Sequence, residues 1–185
     1  MTSIRRVLLG AFSLAVAFAA VATPASAQVE LGWDAALAIS SFSDCDGCDN
    51  LTTISLPTGS FRAGFFMSPT IELEPSVSLT LLSGGGETVT VISLDTDLLY
   101  HFSEDATKSR FYLAVGPGIL LVSGGGESVS VFSLGAKLGV KLPASDQLSF
   151  RVAGTYDRGF ENEGDGIPGT NSFGVLFGMS VMVGE

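Results

Sequence analysis

Cysteine, histidine and tryptophan are nearly missing from this chain, which holds two, one and one of them in 185 residues. Two cysteines and one histidine exclude a four-ligand Cys/His zinc site and a dense disulfide framework. Basic residues are also scarce, nine Lys and Arg against nineteen Asp and Glu, for a formal net charge of −10. That balance excludes a basic patch of the kind that grips nucleic acid or an anionic surface. Beyond Val21 no apolar run approaches the roughly 20 residues that a membrane-spanning helix requires. Against these absences stand 23 glycines, 13 phenylalanines and a mean hydropathy of +0.45.

Residues 1–27 read as an export signal. Arg5 and Arg6 supply a basic start, Val7 to Val21 an apolar stretch, and Ala25-Ser26-Ala27 a small-residue cleavage site. The apolar run is short and ends at Thr23-Pro24, unlike an anchor helix, and no Cys follows the cleavage site for lipid attachment. Cleavage would leave a domain of 28–185 with a net charge of −12, since Arg5 and Arg6 are the charged residues removed.

From Val29 to Val183 the sequence alternates with period two. One parity reads Leu31, Trp33, Leu37, Ile39, then Ile71, Leu73, Val77, Leu79, Leu81, then Phe111, Leu113, Val115, Ile119, Leu121. The other carries the strand charges Asp34, Arg62, Glu72, Glu74, Asp95, Asp97, His101, Lys137, Lys141, Arg151 and Asp157, spaced by Gly, Ala, Ser and Thr. Strand side chains alternate between faces, so the pattern predicts an all-β chain with one apolar and one mixed-charge face. Turn residues divide it into eight predicted strands: 29–42, 60–68, 70–82, 88–102, 109–122, 129–142, 147–158 and 171–183. A helix over 29–40, around Ala35-Ala36-Leu37-Ala38, is the weaker alternative.

Ser83 to Leu94 and Ser123 to Leu134 form an internal repeat, each opening with Ser-Gly-Gly-Gly-Glu and joining two strands. No Lys-Ser/Thr follows these glycines, so they are turns and not phosphate cradles. With a periplasmic N-terminus, the outside loops include the two longest connections, Ser43–Gly59 and Gly159–Thr170, while all inside turns are short. That asymmetry is expected of an eight-stranded antiparallel up-and-down transmembrane β-barrel with lipid outside and a packed polar lumen. A soluble lipocalin-like ligand-binding barrel would also alternate. Small residues on the polar face, charges of both signs, and aromatics assigned to strand ends (Trp33, Phe61, Phe102, Phe111, Phe150, Tyr156, Phe173) favour the membrane.

On these residues the chain resembles the small eight-stranded outer-membrane β-barrel proteins, the group containing the transmembrane domain of outer membrane protein A. The resemblance covers all of 28–185 and rests on architecture. It implies a monomer in the outer membrane of a Gram-negative-type bacterium, in contact with lipid and lipopolysaccharide, with no nucleic acid partner. The chain departs from the group in ending Val183-Gly184-Glu185, where such barrels carry a terminal aromatic residue read by the insertion machinery.

The lumen charges read first as a structural salt-bridge plug, since a charge buried alone costs several kcal/mol; a narrow channel for small solutes is the alternative. Tyr100-His101-Phe102-Ser103 is similar to the His-x-Ser pair of outer-membrane lipid A deacylases, but no third partner accompanies it, so no enzyme and no catalytic residue is predicted. Cys45 and Cys48 read as a local disulfide bracing the first outside loop, in preference to a redox site or half a metal site. The acidic loop residues Asp44, Asp46, Asp49, Glu161, Glu163 and Asp165 form a solvated rim. They are also the candidate ligands for Ca²⁺, although neither loop fits the twelve-residue calcium pattern. Divalent ions bridging that rim to lipopolysaccharide phosphates are a further possibility. The expected role is therefore structural, or the presentation of short acidic loops to a surface protein partner.

Overall fold

A computed structural model describes residues 29–42, 51–84, 87–124, 127–161 and 168–184. They form eight strands: β1 (Val29–Phe42), β2 (Leu51–Ser68), β3 (Ile71–Gly84), β4 (Glu87–His101), β5 (Arg110–Gly124), β6 (Glu127–Pro143), β7 (Leu148–Gly159) and β8 (Thr170–Val183). Each strand pairs antiparallel with the next, and β1 pairs with β8 from Val29↔Val183 to Phe42↔Thr170, so the sheet closes on itself. The connections 69–70, 102–109 and 144–147 lie at one end, the inner end; the strand ends Phe42, Leu51, Gly84, Glu87, Gly124, Glu127, Gly159 and Thr170 lie at the outer end, and 102–109 is as long as the interval 43–50, so the outer connections are not uniformly the longer ones. Residues 29–40 belong to a strand, which overturns the helical alternative.

Strand β2 begins at Leu51, well before the predicted position 60, so the first outer loop is shorter than Ser43–Gly59. Pro57-Thr58-Gly59 reads as a turn but lies at an irregularity inside the strand. The β1–β2 register shifts between Asp34 and Ala36, so Ser60 faces Asp34 while Ser55 faces Ala36. Pro and Gly are tolerated inside a strand at such a bulge, where ladder hydrogen bonds are already interrupted. A Cβ on Gly59 would collide with the Asp34 carbonyl oxygen, which explains the glycine.

The usual distribution of polarity is reversed. Among the described residues, buried hydrophobic side chains are few: Leu99, Tyr112, Ala114, Ala153 and Leu176. Buried charged residues include Glu30, Asp34, Glu72, Glu74, Arg62 and Arg151, while Phe61 is 68 % exposed and Phe111 and Leu81 are 64 % exposed. Strand β5 shows the alternation cleanly, with Arg110, Tyr112, Ala114, Gly116 and Gly118 inward and Phe111, Leu113, Val115, Pro117 and Ile119 outward. Such an apolar exterior is stable only in an apolar solvent, because water would face a continuous hydrocarbon wall. On β5 the outward apolar run covers Phe111 to Leu121. About eleven residues at roughly 3.3 Å each, tilted about 40°, span about 25 Å, the height of an outer-membrane barrel's apolar band.

Aromatic contacts mark the edges of this band. Tyr100 and Phe102 meet edge-on at 5.4 Å near the inner end. Tyr156 and Phe173, at 4.9 Å, and Phe132 and Phe160, at 5.6 Å, meet near the outer end. The amphipathic rings of Tyr100 and Tyr156 favour those interfacial depths, and phenylalanines pack against them. Trp33 and Phe61 instead pair across β1 and β2 within the apolar wall, away from the strand ends where the sequence pattern puts them.

Candidate functional site: the lumen

Every charged residue predicted for the polar parity lies on the inner face of the barrel. A barrel of eight strands has an interior just wide enough for side chains to fill it. Carboxylates on one wall therefore meet cations from another. Arg151 on β7 holds Asp34 on β1 through a fork: Nε donates to Oδ1 at 2.9 Å, and Nη2 donates to Oδ2. Its Nη1 also donates to both Glu74 oxygens on β3, at 2.8 and 2.9 Å. Arg62 on β2 donates from Nη1 to Glu30 at 2.7 Å and to Glu74 at 2.9 Å, and from Nε to Asp34 at 3.3 Å. Guanidinium suits this role because its planar fork matches carboxylate geometry and it remains charged.

Towards the inner end, Lys141 on β6 donates to Glu30 at 2.7 Å and to Glu72 at 2.8 Å. His101 Nε2 lies 2.7 Å from the same Glu72 oxygen. Phe66 forms an aromatic floor there: it stacks on His101 at 5.7 Å and lies under Arg110, 5.1 Å from its ring centre. A cation over a ring face gains from the ring's quadrupole. Towards the outer end, Lys137 pairs with Asp97. Asp95 accepts from Ser93 Oγ at 2.7 Å, and Asp157 faces the same space beside Gly135. Neither Asp95 nor Asp157 has an ion-pair partner among the described residues.

Small residues make the network possible. A Cβ on Gly178 would strike Asp34 Oδ1, and one on Gly32 would strike the Arg62 guanidinium. The Arg151 side chain crosses β8 at Gly178, with its Cγ 3.0 Å from where that Cβ would stand. Among the described residues, the buried atoms Arg62 Nη2, Glu72 Oε1, His101 Nδ1 and Tyr112 OH find no hydrogen-bond partner, so part of the desolvation cost stays uncompensated there.

The structure thus gathers Asp34, Arg62, Glu72, Glu74, His101, Lys141 and Arg151 into one connected cluster and sets Asp95, Asp97, Lys137 and Asp157 outward of it. It adds Glu30, Phe66, Arg110 and Tyr112, which the sequence reading leaves out although all four share the inward parity. His101 is fully buried on Glu72, while Ser103 lies in the 102–109 turn, where its Oγ accepts from the Asp105 N–H at 3.3 Å. The two residues of the deacylase-like pair are therefore engaged separately.

Glu30, Glu72 and Glu74 bring one oxygen each within 4.8 Å of one another, close enough to hold a metal ion. Each already faces Arg62, Lys141 or Arg151, whose positive charge opposes a divalent ion in the same space. Of the acidic calcium candidates, Glu161 is exposed beside Phe160, on a shallow groove of about 310 Å³ with Ile119, Ser130 and Phe132. Asp44, Asp46, Asp49, Glu163 and Asp165 lie outside the described residues, as do Cys45, Cys48 and the signal segment.

No protein-family model matches the chain, and no curated protein matches it by sequence. Solved structures do match by shape. Neisserial surface protein A superposes with a TM-score of 0.64 at 15% identity, over 83% of this chain and 96% of that one. The attachment invasion locus protein of Yersinia pestis gives 0.54 at 10% identity, over 85% and 99%. The outer membrane protein OprG from Pseudomonas aeruginosa gives 0.51 at 12% identity, over 86% and 96%. Identities this low speak for the fold, and that fold is the bacterial outer-membrane β-barrel.

Proposed function

We propose that this outer-membrane barrel is closed to solutes by its lumen ion pairs and serves the envelope structurally, or through what its outer loops present. One observation carries the reading: Arg62, Lys141 and Arg151 each bridge two or more carboxylates from different strands at 1 % or less side-chain exposure of the acid. A conducting pore needs sites that bind weakly enough to release an ion, and hydrated space in which the ion can move. Here the fixed cations Arg62, Lys141 and Arg151 tie up the carboxylates of Glu30, Asp34, Glu72 and Glu74 across the lumen. Interaction then falls to the exterior, where by sequence the outer loops carry Asp44, Asp46, Asp49, Glu161, Glu163 and Asp165.

The test is single-channel recording of the refolded mature protein in planar bilayers. The expected result is a silent wild type, with current steps appearing in an Arg62→Ala/Arg151→Ala variant that still shows heat-modifiable migration on SDS gels. Steady wild-type conductance would refute closure and support the narrow-channel alternative.

A further inference from the structure

The repeated segment stands where the barrel's polarity turns over. At its base, and on β5 just below it, outward positions are apolar: Ile119 and Leu121 on β5, Phe132 and Leu134 on β6, Ile92 and Leu94 on β4. Past that level the outward residues become Ser123, Ser128 and Ser130, all exposed, and Thr90; Ser123 and Ser128 oxygens lie 3.1 Å apart across the hairpin. The inward residues change in the opposite sense. Asp95 and Ser93 give way to Val91 and Val89 on β4, Gly118 to Leu120 and Val122 on β5, and Ser133 to Val131 and Val129 on β6. All six apolar residues are half-buried.

Their inward direction is fixed by neighbours as well as parity. A Cβ on Gly124 would lie 2.9 Å from Val89 Cγ2, and one on Gly159 would lie 3.6 Å from Val131 Cγ1. The hairpins join through the Thr90↔Ser123 pair, so β3 to β6 continue as one curved sheet past the apolar band. About five further residues per strand, at roughly 3.3 Å each and tilted, carry it about 12 Å beyond that band. Serine hydroxyls on its outer face suit water better than hydrocarbon, since even a paired hydroxyl keeps lone-pair capacity that only water can fill.

We infer that the duplicated hairpins form an apolar seal over the outer mouth of the lumen, standing in water above the bilayer. Val89, Val91, Leu120, Val122, Val129 and Val131 line its inner face on the three adjacent strands β4, β5 and β6, and such an apolar wall at the mouth resists a continuous water column by dewetting. The seal lies directly above Asp95 and Asp157, which have no ion-pair partner among the described residues, and shields them from the outer solution. The inference rests on the membrane reading and adds a second barrier in series with the ion-paired cluster, so an Arg62→Ala/Arg151→Ala variant conducts only once the applied voltage also wets these six side chains.

Impermeant maleimide labelling tests it, with single cysteines placed in a Cys45→Ser/Cys48→Ser background in proteoliposomes. Ser123→Cys and Ser130→Cys are expected to react at least about tenfold faster than Val91→Cys and Val131→Cys, as dewetting requires. Equal rates would show an open, wetted mouth, and protected serine positions would put the hairpins in lipid; either result overturns the seal. The unmodified protein gives a second reading in nanodiscs with a soluble paramagnetic reagent. Ser130 amide signals should broaden while Val91 and Val131 methyl signals persist, and broadened methyls would refute the inference. A wetted mouth above a silent barrel would sink the seal and leave the lumen plug standing.

Discussion

Replacing Arg151 with methionine tests the lumen most directly. The substitution removes the fork to Asp34 and both contacts to Glu74, whose side chains are each 1 % exposed. Breaking a buried ion pair on one side costs about 3–5 kcal/mol, because the carboxylate remains buried without its partner. Arg62 continues to face both acids, with Nε 3.2 Å from Asp34 and Nη1 2.9 Å from Glu74. The loss should therefore sit at the lower end, about 3 kcal/mol, a little over a hundredfold in the folding equilibrium. Urea unfolding from phospholipid vesicles, followed by Trp33 fluorescence and gel mobility, measures it. Adding Glu74→Gln to Arg151→Met removes one excess charge, so the double variant should be no less stable than the single one, with a coupling of about 1–3 kcal/mol. A loss below about 1 kcal/mol, the range of solvent-exposed pairs, would mean a hydrated lumen and refute the reasoning. So would additive single and double effects.

Three other outcomes follow from the geometry. Gly178→Ala should destabilise by about 1–3 kcal/mol through overpacking on Asp34 and Arg151, whereas Gly154→Ala, whose Cβ meets nothing within 4 Å, should be neutral in the same unfolding assay. Trp33, outward and 36 % exposed, should be quenched by chain-brominated lipid and spared by aqueous acrylamide; the reverse would indicate a soluble barrel. In the inner turn, Asp105 accepts from the Thr107 hydroxyl at 2.6 Å and backbone N–H at 3.0 Å and pairs with Lys108, holding its pKa at about 2 instead of 3.8. A depressed folded value means the turn's stabilisation is complete above 3.8 and disappears as pH falls through about 2. Thr107→Val should raise the carboxyl midpoint in an NMR titration, and an unmoved midpoint would reject the assignment.

Much of this barrel was legible because period two is a local signal. The alternation along Arg110–Ile119 assigns each side chain to its face without any knowledge of the partner strands. Pro57 and Gly59 defeated the same reasoning, since a bulge inside a strand uses the residues of a turn and its register appears only once β1 lies alongside. Phe66 and Tyr112 share the inward parity, but an aromatic side chain counts as apolar until cations and a histidine are seen against it. Glu30 and Arg110 obeyed the rule outright and needed only its consistent application at the strand starts. The pairings were not legible at all: Lys141 meets Glu30 across 111 positions, a match set by the barrel's closure and strand tilt. Of the acidic loop residues, Glu161 stands exposed on the outer groove, as its charge and its place beside a turn lead one to expect.

The closure of β1 on β8 has a consequence for how the chain assembles. An unpaired strand edge in hydrocarbon exposes N–H and C=O groups at several kcal/mol each, so a seven-stranded intermediate has no stable place in the bilayer. Arg151 reaches across β8 at Gly178 to Asp34 on β1, and Lys141 reaches Glu30, so lumen cations on β6 and β7 acquire their β1 counter-ions only when the last strand docks. Strand β1 thus carries the negative half of a latch whose positive half lies on β6 and β7. Assembly is all-or-none by construction: the same residues that fill the finished barrel hold its seam shut.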